Sequence, residues 1–157
     1  MVIGNINKLA FVVEKISDWS VCGLSNGNIQ LFINGKGYPQ QQDVVTLNME
    51  INNIIDDLSP LINPVNDRYL FEMSALQLFD YFCCCTFDES NFAFKLPFTA
   101  LTDEGWFVFI VTIDERVRFQ IGKYINGDKF IFEDETIINR KELNCIIQQL
   151  KEYMEYL

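Results

Sequence analysis

Hydrophobic residues along this chain change period several times, and each change marks a predicted element. In KLAFVVEKI (residues 8–16), Leu9, Phe11 and Val13 share one side of a pleat, with Lys8 and Glu14 on the other, which predicts a strand. A second strand is expected over Trp19 to Leu24. Asn26-Gly27 then supplies the positive-φ turn of a tight hairpin into NIQLFI, and Asn34-Gly35 marks another turn. The N-terminal third therefore reads as a β-meander.

After the polar break PQQQD (residues 39–43), Ile51, Ile54, Ile55 and Leu58 recur at helical spacing, with Asn48 as candidate N-cap and Pro60 and Pro64 closing the helix. RYLFEM (68–73) fits a short strand or a lead-in to the next element. Ser74-x-x-Gln77 has the capping-box pattern and opens ALQLFDYFCCCTF, a segment apolar nearly all round and so expected to be buried. Residues 86–105 look irregular, with Pro97 and a turn at Asp103-Glu104-Gly105.

From Trp106 the period is again that of strands. WFVFIVTI is apolar on both faces, as in a central strand covered on both sides. RVRFQIG alternates, with Val117, Phe119 and Ile121 inward and Arg116, Arg118 and Gln120 outward. Asn126-Gly127 turns the chain into KFIFED, with Phe130 and Phe132 inward. Last, Asn139 and Glu142 form a capping box ahead of the stripe Leu143, Ile146, Ile147, Leu150, Met154, Leu157. No linker or internal repeat divides the chain, so residues 1–157 are expected to form a single α+β domain. The expected fold is an antiparallel sheet of two β-meanders packed by about three helices, near 49–59, 75–85 and 139–156, the last amphipathic.

The chain is strongly acidic. Twelve Lys and Arg stand against 22 Asp and Glu, a formal charge of -10 over 157 residues. That balance argues against nucleic acid and anionic membranes as partners and towards a cationic one, although acidity also serves plain solubility. The N-terminus lacks the features of a signal peptide, and the apolar run Trp106 to Ile113 is too short to span a bilayer. Five Cys, three of them adjacent (Cys83-Cys84-Cys85), do not resemble a secreted disulfide framework. A cytoplasmic protein with free thiols is expected.

Histidine is absent, which removes Ser-His-Asp and Cys-His catalysis and His-ligated metal sites. No phosphate-loop pattern occurs, and no cofactor is expected. Adjacent cysteines on a helix diverge and cannot chelate one ion well, so the Cys83–Cys85 run reads as core filling. Paired carboxylates remain: Asp56-Asp57, Asp88-Glu89, Asp103-Glu104, Asp114-Glu115 and Glu133-Asp134-Glu135. Such pairs at turns and element ends are ordinarily solvated charge. Asp114, Glu115, Glu133, Asp134 and Glu135 stand out because a plain meander could bring them to one edge of the sheet, as an acidic rim for a basic partner.

The opening MVIGNINKLAFVVEKISDWS, then GLSNGNIQLFINGKGYP and VVTLNMEINNIIDDL, resembles the bacterial polymorphic-toxin immunity proteins grouped as immunity protein family 42, of the contact-dependent growth inhibition type. The likeness rests on the Ile-Gly opening, the apolar strand after it, the acidic–aromatic pair Asp18-Trp19 and a strand ending in Asn-Gly. Further on it rests on the Trp-led strand at Gly105-Trp106-Phe107, a Glu-rich segment and the final helix, so it spans residues 1 to about 155. It is a pattern of hydrophobic and turn positions without a catalytic signature. The resemblance implies a non-catalytic inhibitor that binds a cognate basic toxin domain, often a nuclease, in the cytoplasm. It carries over no site residues. Two other readings stay open: a carboxylate-based hydrolase or transferase, favoured by two acids of raised pKa in a concave pocket, and an acidic adaptor with evenly spread charge. Oligomeric state is open as well.

Overall fold

The computed structural model describes residues 1–19, 23–40, 44–62, 67–84, 95–96, 98–125 and 129–157. Each meander forms its own antiparallel sheet. The first is five-stranded and runs in the order β1 (Val2–Asn5), β2 (Leu9–Lys15), β3 (Asn26–Ile33), β4 (Lys36–Tyr38), with β5 (Val45–Thr46) also pairing with β3. The second is four-stranded: β6 (Lys95–Leu96), β7 (Trp106–Ile113), β8 (Arg116–Ile125), β9 (Lys129–Asn139). The helices are α1 (Leu47–Leu58), α2 (Arg68–Glu72), α3 (Ala75–Cys84), α4 (Thr99–Thr102) and α5 (Arg140–Met154).

Two hydrophobic cores lie on opposite faces of the second sheet. Trp106, Val108 and Ile110 of β7, with Val117, Phe119 and Ile121 of β8, join a large core shared with the first sheet, α1 and α5. Phe109, Val111 and Ile113, on the other face of β7, pack against Leu70 and Phe71 of α2 and Leu78, Phe79 and Phe82 of α3. This double burial is why WFVFIVTI is apolar at nearly every position. Phe130 and Phe132 pack partly buried against the second core.

The elements read most securely from sequence are those with paired local signals. In α5, the Asn139 side chain accepts from the Lys141 N–H at 2.9 Å, and Glu142 accepts from the Asn139 N–H at 2.8 Å. Leu143, Ile146, Ile147 and Leu150 are buried, and Met154 and Leu157 pack against the same core. Ser74 and Gln77 make the expected reciprocal bonds ahead of α3. Asn34 and Gly35, at φ 49° and 85°, form the two-residue turn between the paired Ile33 and Lys36.

Elsewhere the structure corrects the pattern. Trp19 closes a 3₁₀ turn (Ser17–Trp19) and Leu24 makes only an isolated bridge, while residues 20–22 lie outside the described residues. Asn26 and Gly27 do not turn the chain. They lie inside β3, with Gly27 opposite Lys15. A side chain at 27 would collide with the Glu14 carbonyl oxygen, so glycine here serves close backbone approach. Asn48 is not the N-cap of α1: the helix starts at the fully buried Leu47, and Asn48 instead accepts from the Ser25 N–H at 2.8 Å. Pro60 falls in a 3₁₀ turn (Ser59–Ile62), and Pro64 is outside the described residues.

RYLFEM is neither strand nor lead-in. It is α2, opened by Asp67, whose carboxylate accepts from the Leu70 N–H at 3.0 Å. α3 is buried on one side only, with Leu76 61% exposed. The stretch 86–105 contains β6 and α4, and the turn expected at Asn126-Gly127 lies outside the described residues. β1, an edge strand, was not anticipated.

Between β8 and β9 the register shifts: Ile121 pairs with Asp134, but Gly122 pairs with Phe132, leaving Glu133 as the extra residue of a bulge. At this kink the Phe79 ring lies directly on the Gly122 backbone, with no room for a Cβ. Gly122→Ala is expected to destabilise the protein by about 1–3 kcal/mol, the usual cost of overpacking a core. The urea midpoint should fall with the m-value unchanged.

Candidate functional site

The five acidic residues singled out from the sequence do not gather on one rim. Asp114 and Glu115 form the turn between β7 and β8, flanked by the pair Ile113–Arg116. Asp114 adopts φ 48°, a left-handed conformation that Asp tolerates better than most residues. Its carboxylate is exposed and lies 3.6 Å from the Arg68 guanidinium at the start of α2. Glu133, Asp134 and Glu135 lie in the middle of β9, away from the shared edge of the sheet expected for them. Glu135 pairs with Gln120, whereas the residue beside the turn is Asn139. Four residues at roughly 3.3 Å each separate them along the strand, about 13 Å.

The bulge and the alternation of the strand then send these three side chains to different neighbours. Glu133 forms an ion pair with Lys36. Asn34 donates to the Asp134 carboxylate at 3.0 Å and to the Glu135 carbonyl at 2.9 Å. These contacts come from the β3–β4 turn and the first residue of β4, so this part of the acidic segment ties the first sheet to the second.

Glu135 turns to the opposite face. Arg118 donates to one of its carboxylate oxygens through Nε at 2.9 Å and Nη2 at 2.7 Å. The other arm of the guanidinium, Nη1, donates to the carbonyls of Phe71 at 2.8 Å and Met73 at 2.7 Å. Gln120 donates to the same Glu135 oxygen and to the Ala75 carbonyl, each at 2.9 Å. Arg118 and Gln120 therefore point away from Val117 and Phe119, as alternation requires, yet they are 5% and 1% exposed under the α2–α3 junction. Arg118 satisfies two carbonyls at the C-terminal end of α2, where helical partners run out, and Gln120 adds a bond to the first carbonyl of α3. The sequence pattern specifies the face of the sheet, not whether a helix covers it.

Two concavities flank this framework. One, of about 350 Å³, lies between the β1–β2 turn and α5 and is lined by Gly4, Lys8, Glu142, Cys145 and Gln149 among others. Its polar groups engage one another: Lys8 bonds Glu142 at 2.7 Å, and the Gly4 N–H donates to Gln149 at 3.1 Å. The hydrogen bond from Lys8 is the main reason the Glu142 carboxyl lies below its ordinary pKa. The other is an open trough of about 660 Å³ between α2 and α3. The cysteine run behaves as core filling only in part. Cys83 is half-buried, and burial, with Asp80 and Cys84 beside it, pushes its thiol up to about 12, which keeps it protonated and unreactive. Cys84 is exposed, and Cys85 lies outside the described residues.

The family model of immunity protein 42 matches residues 1–153. The chain belongs to the immunity protein 42 family. The crystal structure of CdiI from Burkholderia dolosa AUO158 has the same fold, with 22% sequence identity, a TM-score of 0.76, and coverage of 98% of this chain and 99% of that one. No curated protein matches. Among the described residues of this immunity protein, no helix is long and apolar enough to cross a membrane, and no group of three or more His, Cys, Asp or Glu is placed to hold a metal ion.

One acid in this family member has a strongly raised pKa. Burial, then repulsion from Asp56, pushes Asp57 up to about 6. Both acids lie in the last turn of α1, where the helix dipole disfavours negative charge. The Asp57 Oδ2 atom is buried without a hydrogen-bond partner among the described residues. Asp57 lines neither concavity. Outside both of these concavities, the raised acid is a local strain on the helix end.

Arg118→Met leaves Glu135 with the Gln120 amide but no countercharge, and the Phe71 and Met73 carbonyls without their donor; it is expected to cost about 3–5 kcal/mol, the range for breaking a buried ion pair. Arg118→Lys should not restore it, because an ammonium cannot span Glu135 and two carbonyls at once. Equilibrium denaturation of both variants provides the check. For Asp57, a folded-state pKa above the ordinary 3.8 means that the folded state holds its proton more tightly, so stability declines as pH rises from about 4 to about 6. Asp57→Asn should raise the melting temperature near neutral pH, and that gain should vanish below about pH 4.

Proposed function

We propose that this chain neutralises a bacterial toxin by binding it in a stoichiometric complex, in the cytoplasm, as part of a contact-dependent growth inhibition system. On this reading the toxin is a basic domain that acts on nucleic acid as a nuclease. The observation that carries this reading is the match to an immunity family over residues 1–153. The net charge of -10 supports the nature of the partner. A nuclease must present positive potential to its polyanionic substrate, and an inhibitor of opposite sign is steered to that same surface. Complexes of this kind reach Kd values on the order of 10⁻⁹ M or tighter.

Asp114, Glu115, Glu133, Asp134 and Glu135 supply acidic potential on the second sheet. The exposure of Asp114 and Glu115 at a turn supports direct contact there. Glu133, Asp134 and Glu135 already hold the chain's own Lys36, Asn34 and Arg118, and contribute mainly through the field they help to set. The hydrolase reading gains no comparable support, because Asp57 stands outside the concavities.

The test is co-purification from cells that express the toxin reading frame neighbouring this gene with its active site disabled. One basic partner at equal stoichiometry is expected. A folded bait that recovers none overturns the proposal. Within a recovered complex, Asp114→Lys combined with Glu115→Lys should slow association about tenfold at low ionic strength, with the effect shrinking as salt is added. An unchanged association rate removes this turn from the interface.

A further inference from the structure

The trough between α2 and α3 is built from two short stripes at helical spacing. Tyr69 and Glu72 line it from α2, at i and i+3, joined by Met73 just past the helix end. Gln77, Asp80, Tyr81 and Cys84 line it from α3, at i, i+3, i+4 and i+7. The opposite side of α3, through Leu78, Phe79 and Phe82, faces the core, so the stripe in the trough is the side left over for solvent. It is unlike an ordinary solvated face. Tyr69 is 76% and Tyr81 38% exposed, the partly buried Met73 also lines the trough, and a carboxylate stands on each wall.

Resting on the immunity reading above, we propose that this trough is the docking surface for an arginine- or lysine-bearing segment of the cognate toxin. Tyrosines over a groove are typical anchors of tight interfaces, and their ring faces accept a guanidinium by cation–π stacking. Glu72 and Asp80 then offer carboxylates to the fork of the same guanidinium. A second copy of this chain is the poorer occupant, because it would bring another charge of -10 against an acidic groove.

The trough is held in shape from beneath. Arg118 and Gln120 bond the carbonyls of Phe71, Met73 and Ala75, which are the residues linking its two walls. A partner therefore meets a preformed surface and loses little freedom in ordering it. Arg68 reaches Glu72 at 3.4 Å, but both side chains are mostly exposed, and such a pair gives way to a competing guanidinium.

The experiment measures affinity of the full chain for the inactivated toxin domain from the neighbouring reading frame by calorimetry. It compares the unmodified protein with Tyr69→Ala, Asp80→Lys and the distant control Tyr156→Ala. All three sites are exposed, so melting temperatures should stay close to that of the unmodified protein. The expected result is a rise in Kd of about 30-fold for Tyr69→Ala and at least tenfold for Asp80→Lys, with Tyr156→Ala unchanged. If the unmodified protein binds and both trough variants bind as tightly, the trough is not the docking surface and the immunity reading stands. If the unmodified protein does not bind the toxin domain, the immunity reading falls and takes this proposal with it.

Discussion

The guanidinium of Arg118 is the point at which the second half of this protein is fastened together. A charged group 5% exposed is costly to bury unless every donor finds a partner. Here Glu135 neutralises the charge, and the carbonyls of Phe71 and Met73 take the remaining arm. Those carbonyls end α2 and lead into α3, so the network converts a requirement of β8 and β9 into a fixed position for both helices. The aromatic core beneath them, with Phe79 set against Phe109 and Phe132 at ring distances of 5.8 and 5.6 Å, then packs against a helix that cannot slide. Apolar burial supplies the driving force, while the ion pair supplies the registration.

A second constraint sits on the same strand. β9 carries three consecutive acids through a bulge, and the extra residue lets neighbouring side chains serve different partners. Glu133 and Asp134 reach the β3–β4 turn, while Glu135 reaches Arg118. The first sheet and the α2–α3 pair are thus both tied to one short acidic segment, from opposite sides. A run that looks in sequence like solvated charge is, in the folded chain, a joint between its two halves.

This joint also shows where sequence legibility ends. The two meanders, the doubly buried β7 and the capped α5 were readable because each rests on a local rule: alternation, a continuous apolar run, or a capping box before a stripe. What was not readable depends on distant residues. Asn26-Gly27 has turn composition, yet Gly27 is needed because the Glu14 backbone passes close by. RYLFEM carries no clear period over so few residues, and its best local signal was the capping Asp67. Arg118 and Gln120 fit an outward face equally well whether water or a helix lies beyond it. The acidic set was read as one rim because no local rule places a bulge at Glu133 or foretells Lys36 as its partner.

The same distinction bears on how such a protein recognises its target. Net charge is legible from composition and sets the sign of the long-range field, which governs encounter more than final affinity. Affinity depends on local surfaces that are rigid, partly apolar and able to satisfy the charges they cover. Several of the acids most visible in the sequence are already engaged within the fold. By contrast, the α2–α3 trough combines exposed tyrosines with carboxylates at positions that composition does not mark. In an acidic inhibitor of this design, residues that hold the fold and residues that present a surface can lie on the same few strands and helices. Glu135, through Arg118, fixes the Phe71 and Met73 carbonyls at the junction of the two helices that carry Tyr69 and Tyr81, and so shapes the trough without lining it.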